Sequence, residues 1–80
     1  MLELVKYIVN QFAEKPDEIT YEVEETENGE NVIVTLSEAD MGKVIGRQGK
    51  IAKAMRTLVK AMGIKDNKKY NIEIKERQDA

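Results

Sequence analysis

The sequence predicts a two-layer α+β domain in the order α-β-β-α-α-β, with one face of a three-stranded sheet covered by helices. Two observations lead to it. Apolar residues recur at helical spacing in three segments and alternate with polar ones in three others. The chain has 80 residues, 41% of them apolar and 35% charged, enough for a single modest core.

The first helix carries Leu2, Val5, Ile8, Val9 and Phe12 on one face and is stopped by Pro16. From Ile19 the period becomes two: Ile19, Tyr21 and Val23 alternate with Thr20, Glu22 and Glu24. Asn28-Gly29 then reads as a two-residue hairpin turn, since both residues tolerate positive φ. That turn would set Val23 opposite Val34 and Tyr21 opposite Leu36, with Glu22 opposite Thr35 on the other face. Glu22, Glu24, Ile33, Thr35, Glu73 and Lys75 are expected to look at solvent.

Ser37 is placed to cap a short second helix that runs to about Ile45, with Glu38 and Asp40 in its first turn. A break is expected over Gly46-Arg47-Gln48-Gly49. A third helix follows from about Lys50 to Met62, with Gly63 at its C′ position. Its core face is Ile51, Ala52, Met55, Leu58, Val59 and Met62; Lys50, Lys53, Arg56 and Lys60 lie opposite. Tyr70, Ile72 and Ile74 alternate in the last strand. The chain reads as one domain over residues 1–80, with a flexible tail from about Glu76.

The net charge of −2 hides an asymmetric layout. Residues 1–40 hold 11 acids and 2 bases, and residues 41–80 hold 11 bases and 4 acids. From Met41 to Lys65 there are seven bases and no acid. Cysteine and histidine are both absent, which removes disulfides, thiolate metal sites and the commonest general base. With no convergent pair of acids either, an enzyme is a poor reading. The five Glu between Glu22 and Glu30 are separated by strand alternation, so no metal site is expected there; they discourage edge pairing instead. No apolar run approaches the roughly 20 residues of a membrane helix. A cytoplasmic protein without cofactor follows as the expectation.

The informative stretch is Met41-Gly42-Lys43-Val44-Ile45-Gly46-Arg47-Gln48-Gly49-Lys50-Ile51. Glycine lets another molecule approach the backbone closely. A helix starting there would present free N–H groups and the positive end of its dipole, which suits phosphate. Lys43, Arg47 and Lys50 add charge beside it. A Walker A loop would need Gly at 44 and Ser or Thr at 51, where Val44 and Ile51 stand.

Val44-Ile45-Gly46-Arg47-Gln48-Gly49 between helices, in this order of elements, resembles a KH domain of the type II arrangement, whose mark is the GXXG loop. The longer run Met41 to Thr57 closely resembles the KhpA family of small bacterial single-domain KH proteins. Many KH domains have a large aliphatic residue three places after the second Gly, where this chain has Ala52; Ile51 and Met55 would supply that bulk. The resemblance implies a type II KH fold, with a three-stranded mixed sheet and helices on one face. It implies single-stranded RNA binding: Lys43, Gly46, Arg47, Gln48, Gly49, Lys50, Lys53 and Arg56 on the backbone, and a base groove lined by Val34, Val44, Ile45 and Ile51. It further implies an RNA chaperone that forms a homodimer and pairs with a multidomain KH protein of the KhpB (Jag, EloR) family. Cell-envelope and cell-length regulation are the associated roles. The alternative reading is a protein-interaction module, with the GXXG helix pair as a dimer interface and no direct RNA binding.

Overall fold

The computed structural model describes residues 1–78, the side chain of Arg47 excepted. Helix α1 spans Leu2–Phe12, and a 3-10 turn follows at Pro16–Glu18. Strands β1 (Thr20–Thr26) and β2 (Gly29–Leu36) form a hairpin. Helix α2 spans Glu38–Asp66, and β3 (Lys69–Glu76) closes the chain. The sheet order is β1-β2-β3, with β1 antiparallel and β3 parallel to β2. The helices cover one face, giving the expected mixed sheet in a two-layer α+β fold. The shortest extent, 18 Å, fits one helix layer on one sheet, since a helix with side chains is about 10–12 Å across.

The core lies between the layers. Val5 and Val9 come from α1, Val32, Val34 and Leu36 from β2, and Val44, Met55 and Val59 from α2. Burying each such side chain contributes about 1.5–3 kcal/mol relative to leaving it in water. On β1, Tyr21 is half-buried beneath the Lys6 ammonium, 5.4 Å from the ring centroid. Burial raises its hydroxyl pKa.

The structure refines the sequence reading in several places. The hairpin pairs Tyr21 with Val34, Glu22 with Ile33 and Val23 with Val32, two residues away from the expected register. Its turn is Glu27-Asn28, and neither residue has positive φ. A shift of two leaves every side chain on its expected face, so the apolar pattern cannot detect it. Gly29 is instead demanded by β3: a Cβ there would run into the Lys69 backbone.

Ile33, expected in solvent, is 6% exposed on the sheet face away from the helices. Its lateral neighbours in the sheet are Glu22 and Glu73, residues of the long kind whose stems cover apolar surface.

The two later helices are arms of one hydrogen-bonded element. Gln48 (φ 63°) and Gly49 (φ 68°) have left-handed backbone and divide it into arms 38–47 and 50–66. The break expected over Gly46–Gly49 is therefore present, narrowed to two residues, and the expected α-β-β-α-α-β order holds. The second arm passes Gly63 and ends at Asn67 in the αL conformation, a residue that tolerates it. Gly63 lies inside the helix, where the returning Lys68 carbonyl would come within 2.7 Å of a Cβ.

Leu58, expected in the core, is 46% exposed. The arm turns Met55 and Val59 fully inward, which carries Leu58 to the flank beside the exposed Ala54 and Ala61. At the end of the chain, β3 pairs through Glu76, and the Arg77 N–H donates to the Leu36 carbonyl at 2.6 Å. The strand thus ends where the tail was expected to begin; residues 79–80 lie outside the described residues.

Candidate functional site

The first arm of α2 begins at a fixed base. Ser37 Oγ accepts the Asp40 N–H at 3.3 Å and caps the helix, as the sequence predicts. Asp40 is fully buried, and its two carboxylate oxygens accept the N–H groups of Glu14 (2.8 Å) and Lys15 (3.1 Å). These amides follow the end of α1 and would otherwise lack partners. Burial raises the Asp40 pKa, but the two amides, the Lys43 charge and the Ser37 hydroxyl outweigh it and hold the carboxyl below its ordinary value. Sequence reasoning gave Asp40 only a place in the first helical turn. Its partners lie 25 and 26 positions away, beyond the reach of local pattern.

The other end of that arm is open. Gly46 and Gln48 are exposed, and Gly46 and Gly49 have nothing within 4 Å of where a Cβ would sit. Ile45 is 59% exposed beside them. The backbone of Arg47 belongs to the helix; its side chain lies outside the described residues. Lys50, Lys53 and Arg56 are exposed along the second arm, and Lys60 continues their track one turn on. Among the described residues, Lys50, Lys53, Arg56 and Lys60 take part in no ion pair. Lys43 is engaged: its ammonium lies 2.9 Å from a Glu14 carboxylate oxygen and donates to the Phe12 carbonyl at 3.3 Å.

The expected groove residues separate. Val34 and Val44 are 0% and 1% exposed and belong to the core. Ile51 is half-buried against it, and Ile45 faces outward. Two depressions lie between the second arm and β3. One of about 260 Å³ is lined by Arg56, Val59, Lys60, Tyr70, Asn71 and Ile72. A second, of about 640 Å³, shares Lys60, Tyr70 and Asn71 and adds Asn28, Gly63, Ile64, Asn67, Lys68 and Lys69. Tyr70 donates its hydroxyl to Asp66 Oδ2 at 2.8 Å, and that hydrogen bond raises its pKa.

Because β3 is an edge strand, its outer backbone groups border this trough. The Lys69 N–H donates to Asn28 and the Arg77 N–H to Leu36, so the odd-numbered residues of β3 point toward β2. Those of Ile72 and Ile74 therefore point outward, together with free hydrogen-bonding groups. Lys60, Tyr70 and Asn71 were not picked out as site residues from the sequence. The signal was the helix end at Asn67, which returns the chain antiparallel to the basic arm.

This arrangement offers a sharp, uncrowded backbone kink, a row of unpaired cations and a trough of mixed apolar, amide and basic lining edged by backbone donors and acceptors. It is suited to an extended polyanion whose flat apolar groups carry hydrogen-bonding edges. Among the described residues there is no acidic cluster that could hold a metal and no helix long and apolar enough to cross a membrane.

Comparison with known proteins agrees with that chemistry. The family model for the KhpA/KhpB KH domain matches residues 2–74. The chain is 50% identical to an RNA-binding protein KhpA of Clostridium perfringens, over 92% of this chain and 99% of that one. It is 45% identical to one of Listeria monocytogenes, over 92% and 97%, and 40% identical to one of Bacillus subtilis, over 90% and 89%. No solved structure gives a significant match. With a family model spanning most of its length and relatives this similar along nearly their whole chains, the protein belongs to the KhpA/KhpB family of KH domains.

Proposed function

We propose that this protein binds single-stranded RNA, with the sugar-phosphate backbone crossing the Gly46–Gly49 kink and the bases lying in the trough between the second arm of α2 and β3. The observation that carries this reading is the open glycine beside the kink. Gly46 occupies a helical position, where it costs about 1 kcal/mol relative to Ala, and nothing packs against it. A molecule that approaches the backbone there accounts for it. The unpaired Lys50, Lys53, Arg56 and Lys60 supply the matching charge, and the relatives named RNA-binding proteins support the same assignment.

The residues with named roles are Gly46, Arg47, Gln48 and Gly49 at the kink, and Lys43, Lys50, Lys53 and Arg56 along the phosphate track. Ile45 and Ile51 border it on the apolar side. Binding, not catalysis, is the activity. On the family resemblance, the domain acts in the cytoplasm as an RNA chaperone with a multidomain partner of the KhpB (Jag, EloR) family, and so bears on envelope growth and cell length. The test is titration of a short single-stranded RNA at two salt concentrations, with Arg47 and Gln48 both replaced by Asp. The unaltered protein should bind more weakly at high salt. The double variant should keep its fold and lose binding. Unchanged affinity in a folded variant removes the kink from the site.

A second, compatible reading is self-association. Leu58 is exposed on the second arm between Ala54 and Ala61, a small apolar strip on the flank of the basic track. A homodimer buries it, and small domains often gain stability in this way. Sedimentation of Leu58→Lys checks this: a shift from dimer to monomer supports the strip as the interface.

A further inference from the structure

Lys43 stands three residues before the first glycine of the kink, yet it differs from the other bases of its stretch. Its ammonium is held by the Glu14 carboxylate at 2.9 Å and by the Phe12 carbonyl at 3.3 Å. Glu14 is not placed there by chance contact of two long side chains. Its backbone N–H is fixed by the buried Asp40 carboxylate, and Asp40 lies on the same helix face as Lys43, three residues earlier. The turn after α1 is thus anchored to the arm that carries the kink, and it presents a carboxylate to a lysine that would otherwise face solvent. A carboxylate and a phosphate oxygen ask the same thing of an ammonium group. The pair itself is exposed, with side chains 38% and 65% accessible, so it is weak enough for a phosphate to displace.

We propose that Glu14 is an internal competitor for Lys43, which lowers the affinity of the kink for RNA phosphate and sets how many phosphates the domain neutralises. This rests on the reading that the kink meets RNA. Glu14 is then a specificity-determining residue outside the nucleic-acid surface: it favours ligands whose phosphates reach Lys43 strongly enough to break the pair.

The experiment compares Glu14→Gln, Lys43→Met and the double variant by titration with a single-stranded RNA of about eight nucleotides, twice the span a GXXG loop clamps. Glu14→Gln leaves the backbone N–H to Asp40 in place, so the fold should hold, which circular dichroism checks. At low salt it should tighten binding about threefold, within the range set by an exposed ion pair. Its dependence of log K on log salt should steepen by about 0.7, the value of one extra phosphate on a single strand. In the Lys43→Met background the same change should give no gain. Equal affinity of Glu14→Gln and the unaltered protein overturns the proposal. A gain that survives in the Lys43→Met background also overturns it, because removal of any acid would then do the same. If the unaltered protein binds no RNA at any salt concentration, the RNA reading fails and takes this proposal with it. Salt-sensitive binding by the unaltered protein, unmoved by Glu14→Gln, defeats the competitor alone.

Discussion

Gly29 and Gly63 lie against other parts of the backbone, whereas Gly42, Gly46 and Gly49 have only open space where a Cβ would sit. The first pair is explained inside the molecule. Gly29 lets β3 start alongside β2, and Gly63 lets the chain return across the end of α2. Of the open three, Gly49 has a reason in its φ of 68°, which a side chain would strain. Gly42 and Gly46 have none, and in a helix they cost stability. At Gly46, next to the kink, that cost points to a partner outside the fold. The two sets should therefore respond in opposite ways to the same small substitution.

The largest effect is expected at Gly29. Ala there would clash with the N, C and O atoms of Lys69, and backbone cannot move aside as a flexible side chain can. Gly29→Ala should lower stability by about 3 kcal/mol in urea unfolding. Gly63→Ala meets a single carbonyl at 2.7 Å and recovers some helix propensity, so a loss of about 1–2 kcal/mol is expected. A neutral result at both positions would erase the distinction between packed and open glycines.

The second effect concerns the base that holds the open glycines in place. Asp40→Asn keeps one acceptor oxygen for two amides, and the loss should be about 1–3 kcal/mol, the cost of one buried donor left unpaired. The sign of the pH dependence follows from the direction of the shift. The Asp40 pKa is lower in the folded protein than in the unfolded chain, where it is about 3.9. Its contribution is present above the unfolded value and is lost as pH falls through the folded one. The gap in stability between the unaltered protein and Asp40→Asn should thus be constant near neutrality and close below about pH 4. A gap that persists in strong acid would mean that the carboxylate charge is not what binds the amides.

Much of this was legible in the sequence, and the failures share a cause. Local chemistry was readable: the Ser37 cap, the alternation in all three strands, the inward faces of α1 and of Met55 and Val59, and the GXXG run itself. What could not be read depends on which distant segments meet. A hairpin register shifted by two obeys the same alternation as the expected one. Gly29 looked like a turn residue because nothing nearby in sequence reveals that Lys69 abuts it. Leu58 fits an apolar helix stripe, and only the tilt of the arm over the sheet leaves it outside. Val34 and Val44, expected in a groove from the family resemblance, lie in the core, whereas Tyr70 and Asn71 border the trough from a strand that returns beside it. Lys43 was counted as a free base because Glu14 is remote in sequence.

At Gly46 stability and function should part. Gly46→Ala puts the methyl group into open space and removes the glycine penalty, so stability should rise by about 0.5–1 kcal/mol. RNA affinity should fall several-fold, because that methyl group occupies the path of the approaching backbone. Paired measurement of urea unfolding and RNA titration checks both signs. A variant that is more stable and binds RNA equally well would leave the open glycine without an explanation.

Gly42 should give the smallest effect and mark where the contact ends. It lies on the same helix face as Gly46, four residues or about 6 Å further from the kink, toward the Ser37 cap. Ala should again stabilise the helix by about 0.5–1 kcal/mol, since the space there is equally open. Its surroundings differ, however. Gly42 lines a depression with Lys15, Glu18, Ser37, Glu38, Ala39 and Arg77, where acids stand among the bases. A phosphate track that runs from the kink along Lys50, Lys53 and Arg56, with Lys43 held by Glu14 at its near end, leads away from Gly42. RNA affinity of Gly42→Ala should therefore stay within about twofold of the unaltered protein, far less than one full phosphate-binding step. A loss as large as that at Gly46 would extend the RNA path back over the first arm, across the Lys43–Glu14 pair, and would make displacement of Glu14 a part of every binding event.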